Sequence, residues 1–179
     1  MHLRFPEAGF LGSNPIVGGG IPLAAGAAFA EKFRGTGNIV VCFFGDGATN
    51  IGSFHEAANL AGLWHLPLVC FIENNAYSVA TPLRQACAIE DLYLRAASYG
   101  MKGYRVDGND VVGIHGLLSA VARDIRAGGE PCIIEALCYR RYHHAGDQPG
   151  SAFGYRSKEE EARSKEREVI STFPRALTE

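Results

Sequence analysis

"FFGDGATNIGSFHEA", residues 43–57, decides the fold. An apolar run ends in a turn where Asp46 lies between Gly45 and Gly47, and Ile51, Phe54, Ala58 and Ala61 then recur at helical spacing. The run itself, "NIVVCFF" at 38–44, has no polar alternation, which marks a strand covered on both faces. Two further runs share that character, "PLVCFIE" at 67–73 and "PCIIEAL" at 131–137. The first pair, with the helical stretch between them, makes one right-handed strand–helix–strand crossover.

Working outward, "IPLAAGAAFAEKFRG" at 21–35 opens with Pro22 and closes on Gly35, the start and stop signals of a helix. "DVVGIHGLLSAVARDIRAGG" at 110–129 places Ile114, Leu117, Leu118, Val121 and Ile125 on one helical face and ends in a glycine pair. A shorter helix is expected over "IEDLYLRAASYG", 89–100. Alternation of element types gives the α/β class, a mostly parallel sheet flanked by helices, with residues 1–179 as one domain. Near the end, "HHAGDQPGSAFG" reads as a loop, with 145–156 flexible, and the charge run "SKEEEARSKERE" reads as a solvated helix with i, i+4 pairs.

A composition of 47% hydrophobic and 20% charged residues is that of a globular protein, and a net charge of −2 offers no basic footprint for nucleic acid or an anionic membrane. No apolar stretch approaches the roughly 20 residues of a membrane span, and the start "MHLRFPEAGF" lacks signal-peptide character. The default compartment is the cytoplasm. Cys42, Cys70, Cys132 and Cys138 lie in or at the end of apolar runs without C-x-x-C spacing, as buried thiols do.

The turn after the first strand sits where open α/β sheets bind ligands, and the helix that follows offers free N–H groups to an anion. Asp46 is a hard oxygen ligand for a divalent cation, and Gly45 and Gly47 admit a closely approaching diphosphate. Magnesium prefers about six oxygens, so a second protein ligand is needed. "ENNAYS" at 73–78 supplies Asn74 and Asn75, emerging from the returning strand at the same sheet edge. A G-D-G turn or an Asn pair alone is commonplace. Their conjunction across one crossover, with 26 residues between Gly47 and Asn74, resembles the thiamine diphosphate signature.

With that signature, "GFLGSNPIVGGGIPLAAGAA", "YRVDGND", "YRRYHHAG" and "FGYRSKEE" resemble the alpha subunit of the thiamine-diphosphate-dependent first component of 2-oxo acid dehydrogenase complexes, the pyruvate, branched-chain 2-oxo acid and acetoin dehydrogenase family. The resemblance covers nearly the whole chain. It implies magnesium held by the side chains of Asp46 and Asn75 and the carbonyl of Tyr77, with Gly45, Gly47 and Ala48 along the diphosphate. Val17 would meet the aminopyrimidine and Val79 would be the apolar wedge that bends the cofactor. Arg140 would neutralise phosphate charge, and His144 would be the catalytic loop histidine, with His143 the fallback. The implied reaction is oxidative decarboxylation of a 2-oxo acid, pyruvate first, with acyl transfer to the lipoyl domain of a dihydrolipoyl acyltransferase. The implied assembly is a two-alpha, two-beta heterotetramer whose beta subunit brings the glutamate that activates the cofactor.

Members of that family are longer than this chain, so the resemblance also implies a fragment, truncated at both ends and inactive alone. Three other readings stand beside it: an acetoin dehydrogenase alpha subunit, a non-catalytic assembly module of the same fold, and a Rossmann-type nucleotide-binding oxidoreductase. Against the last, "GDGATN" has no third glycine at the required offset and "IENNAY" has no acidic residue in the ribose position.

Overall fold

The computed structural model describes residues 2–176; Met1 and residues 177–179, part of the two ends read above as truncation points, lie outside the described residues. In chain order the elements are α1 (Gly20–Arg34), β1 (Val40–Gly45), α2 (Gly52–Leu63), β2 (Leu68–Asn74), β3 (Tyr77–Ser78), β4 (Thr81–Pro82), α3 (Leu83–Ala86), β5 (Lys102–Asp107), α4 (Val111–Arg126), β6 (Cys132–Leu137), α5 (Lys158–Glu166) and α6 (Val169–Ala176). Short 3-10 turns join them, including Asp46–Asn50, Leu92–Tyr99 and Gly150–Phe153.

The main sheet has the order β1-β2-β6-β5, with every pairing parallel. All four strands therefore end at one edge, and the loops that follow β1, β2 and β6 lie side by side. On one face Ile21, Ala25 and Ala28 of α1 and Phe54, Ala57, Ala58 and Ala61 of α2 pack on Cys42, Phe44, Cys70 and Ile72. On the other, Val121 and Ile125 of α4, flanked by Ile114, Leu117 and Leu118, pack on Val69, Phe71, Ile134 and Ala136. The three apolar runs are thus the three central-to-edge strands expected, and the α4 stripe covers the sheet as its spacing predicts.

β5 is a main-sheet strand that the sequence reading leaves unassigned. Lys102 and Arg105 break its apolar run, as befits an edge strand whose charges discourage further pairing. The helix expected at 89–100 is a 3-10 stretch over Leu92–Tyr99, closed by Gly100 in the left-handed region, φ 64°. Gly35 closes α1 in the same way, φ 64°. At the other edge, β1 leaves Val41 and Phe43 exposed on the α4 face, because α4 lies nearest β5.

All five cysteines are free thiols. Burial pushes Cys42 up to about 11 and Cys132 up to about 12, and raises Cys70 further in the same direction. Among the described residues no helix is long and apolar enough to cross a membrane.

Helix α2 approaches the 3-10 stretch so closely that a Cβ on Gly62 would sit 1.8 Å from the Tyr99 carbonyl oxygen, whereas one on Gly26 in α1 would meet nothing within 4 Å. Gly62→Ala should destabilise the fold by about 1–3 kcal/mol through overpacking. Gly26→Ala should stabilise it by about 0.4–1 kcal/mol through the unfolded chain. Thermal melts of the two variants check this pair of opposite signs.

Candidate functional site

Asp46 opens the 3-10 turn directly after β1, and Asn75 follows β2. Parallel register, with Gly45 opposite Glu73, brings their loops together at the carboxyl edge of the sheet. Asp46 is 1% exposed. Its Oδ2 and the Oδ1 of Asn75 are buried and receive no hydrogen bond from any described residue. Buried polar atoms are nearly always paired, so these two oxygens on neighbouring loops are candidate ligands for a cation. Burial pushes the Asp46 carboxyl up, while the backbone N–H groups of Asp46 and Asn75 and the charge of Arg140 pull it down, and Glu135 adds to the rise.

A carboxylate, an amide oxygen and a main-chain carbonyl are hard donors that suit magnesium or a similar cation. Among the described residues no group of three or more His, Cys, Asp or Glu side chains is placed to hold a metal ion, so the soft ligand set of zinc is not what these loops offer. The donor chemistry therefore fits the group the sequence implies.

The 75–79 turn is held from several sides. Asn74 is buried and structural: its Nδ2 donates to Glu135 Oε1 at 2.5 Å and its Oδ1 accepts from the Ala76 N–H at 2.9 Å. Arg156, 6% exposed, donates from Nη2 to the Asn75 carbonyl at 2.8 Å and pairs with Glu160. Its guanidinium stands 4.4 Å from the Tyr77 ring centroid and 4.2 Å from that of Tyr139, a double cation–π contact. Arg140 donates to the carbonyls of Tyr77 (3.4 Å), Val79 and Tyr142 and to the Tyr155 hydroxyl. Four of its five N–H donors are engaged, leaving one for an incoming anion. The Tyr77 carbonyl oxygen has two lone pairs and retains acceptor capacity beside that long bond. Ala76 at φ 66° and Val79 at φ 58° occupy the left-handed region, which is costly for alanine and more so for a β-branched residue.

The remaining sequence candidates divide. Val79 is exposed, with its carbonyl bonded to Arg140, and Ala48 is buried in the 46–50 turn. At Gly45 an added Cβ would meet nothing within 4 Å, so that side of the turn is open. At Gly47 a Cβ would lie 2.1 Å from Ser78 Oγ, so its small size also admits the β3 strand. Val17 is exposed on a loop whose Gly18 packs on Ile51 at the start of α2. His143 contacts the Tyr155 hydroxyl at 3.2 Å and stacks on Phe153 with ring centroids 4.2 Å apart. His144 is exposed and makes no hydrogen bond among the described residues. The structure thus brings His143, not His144, to the Arg140–Tyr155 cluster.

Segment 145–156 leaves this cluster and returns to it, with Tyr142 bridged to Pro149. α5 is less detached than a solvated charge run: Glu160 meets Arg156, and Glu161 accepts from the Ser151 N–H and hydroxyl. Sequence reasoning missed Glu135 and Arg156. Glu135 carried a signal, a carboxylate inside a run otherwise read as buried core, whereas nothing local distinguishes Arg156 from a surface arginine.

A family model described as "Dehydrogenase E1 component" matches residues 1–179. The chain belongs to the dehydrogenase E1 component family. It is 43% identical over 178 residues to the alpha subunit of acetoin:2,6-dichlorophenolindophenol oxidoreductase of Bacillus subtilis, covering 99% of this chain and 53% of that one. It is 42% identical over 170 residues to the pyruvate dehydrogenase E1 component subunit alpha of Rickettsia typhi, covering 95% of this chain and 51% of that one. The chain therefore spans about half the length of these relatives. Two solved transketolase mutant structures from Pichia stipitis share the fold, with TM-scores of 0.59 and 0.58 at 25% and 24% identity. Each covers 70% of this chain and 20% of the transketolase.

A carboxylate whose native pKa is raised binds its proton more tightly when folded, so its ionised form costs stability at pH 7 and the cost disappears below the unfolded value of about 4. Asp46→Asn should therefore raise the melting temperature of the cation-free chain at pH 7. The advantage over the parent should vanish at pH 3, which calorimetric scans at the two pH values measure.

Proposed function

We propose that this chain is the cofactor-holding alpha part of a thiamine-diphosphate-dependent E1 component that decarboxylates a 2-oxo acid, pyruvate first, and passes the acyl group to a lipoyl carrier. The observation that carries this reading is the pair of donor-less buried oxygens, Asp46 Oδ2 and Asn75 Oδ1, on the loops after two adjacent parallel strands. In this reading Asp46, Asn75 and the Tyr77 carbonyl take a magnesium ion, and the open side of Gly45 and the N–H groups of Gly47 and Ala48 face the diphosphate. When bound, thiamine diphosphate supplies the electron sink for decarboxylation.

The chain's own residues bind and orient. Arg140 adds positive charge beside the diphosphate, and Val79, fixed in a strained conformation, presents an apolar surface for the bent cofactor. Val17 faces the aminopyrimidine from the loop before α1. Of the two loop histidines, His144 keeps the catalytic assignment, because its imidazole is unengaged while His143 is committed to Tyr155 and Phe153. The beta subunit completes the site, and the segment 145–156 serves as its mobile loop. Acetoin is the second substrate reading, favoured by the 43% identity to the Bacillus subtilis oxidoreductase subunit.

Calorimetry of thiamine diphosphate binding tests the site: binding should require magnesium and be abolished by Asp46→Ala. Magnesium-independent binding, or binding unchanged in that variant, overturns the reading. Turnover of pyruvate should appear only when a beta subunit is added, and a parallel assay with acetoin separates the two substrates.

A further inference from the structure

Glu135 is fully buried, 0% exposed, in the middle of β6 between Ile134 and Ala136. No ion pair among the described residues includes it. Its partners are neutral donors, Asn74 Nδ2 at 2.5 Å and the Tyr93 N–H at 3.1 Å. A carboxylate without a cation in such a place costs stability that an apolar residue would not. Its position explains what is gained. The Asn74 amide has two possible orientations, and only one donates to Glu135 while accepting from the Ala76 N–H. The flipped amide would set oxygen against carboxylate and NH2 against N–H. That second bond fastens Ala76 in the left-handed conformation, φ 66°, which turns the chain at Asn75.

We propose that Glu135 is a positioning residue for the cation: by locking the Asn74 amide it fixes the Ala76 turn and so aims the Asn75 oxygen at Asp46. This rests on the cation reading of that oxygen pair. It gives Glu135 a role without contact to cation, cofactor or substrate, transmitted through Asn74.

The test exploits donor–acceptor polarity. Glu135→Gln presents one acceptor and one NH2 to two donors, so either Asn74 or Tyr93 loses its partner. Combining Asn74→Asp with Glu135→Gln reverses the pair: the carboxylate introduced at position 74 would accept from the introduced amide NH2 at position 135 and from the Ala76 N–H, and the amide oxygen at position 135 would accept from the Tyr93 N–H. Two quantities are read on the full chain, magnesium affinity at saturating thiamine diphosphate and hydrogen exchange of the Ala76 amide without cation. Glu135→Gln should weaken magnesium binding about 10–100-fold, as loss of a supporting contact does, and accelerate Ala76 exchange. The double variant should return both near the parent values. A merely structural role for Glu135 would lower the melting temperature without selectively exposing the Ala76 amide.

Unchanged Ala76 exchange in both Glu135→Gln and Glu135→Leu, which offers neither donor an acceptor, overturns the proposal with the cofactor reading intact, as does a folded double variant as weak as the single one. Should Glu135→Gln not fold, the double variant is read against the parent directly: parent-like binding and exchange support the proposal, and weak binding or failure to fold overturns it. A parent chain that binds no magnesium with thiamine diphosphate sinks the cofactor reading and the cation half of the proposal together, whereas Ala76 exchange still reports whether Glu135 orders the turn.

Discussion

Parallel pairing of β1 with β2 in a single register is the constraint on which the site depends. Because side chains alternate along a strand, a slip of one residue would exchange the faces of Cys42, Phe44, Cys70 and Ile72 and carry the apolar set away from α1 and α2. The cost of that exchange fixes where each strand ends, and so fixes Asp46 beside the Asn75 loop. The hydrophobic core thereby sets the geometry of the polar site.

The site itself runs against local stability. A carboxylate raised by burial, two oxygens without donors, and two non-glycine residues at positive φ are each unfavourable in the free chain. They persist because the 75–79 turn is gripped by neighbours on separate elements: Glu135 from β6 through Asn74, Arg156 from the turn before α5, and Arg140 from the loop after β6. Such concentration of unfavourable terms at one edge is what a preorganised binding site requires, since a ligand gains what the free chain lacks.

The three apolar runs, the crossover and the α4 stripe were legible in the sequence because burial on both faces leaves a continuous hydrophobic signature and helix amphipathicity a periodic one. The pairing of Asp46 with Asn75 was legible because topology places the ends of neighbouring parallel strands together. β5 was not, since an edge strand with Lys102 and Arg105 looks like a loop until its neighbour is known. The packing role of Gly47 was hidden for a related reason: the crowding that demands glycine there comes from Ser78, which lies 31 positions away in the chain. Arg156 was invisible because its burial depends on the rings of Tyr77 and Tyr139 and on the Asn75 carbonyl, all distant in sequence. His143 and His144 are adjacent, and only the fold shows which imidazole is occupied.

The three thiols within the sheet have a practical corollary. Cys42, Cys70 and Cys132 sit on successive strands, shielded from solvent, with proton affinities raised well above neutral. Alkylating reagents attack the thiolate, so these sulfurs stay silent while β1, β2 and β6 remain joined. Their labelling is then a clock for separation of those strands, wound by the same packing that seats the aspartate and the asparagine side by side.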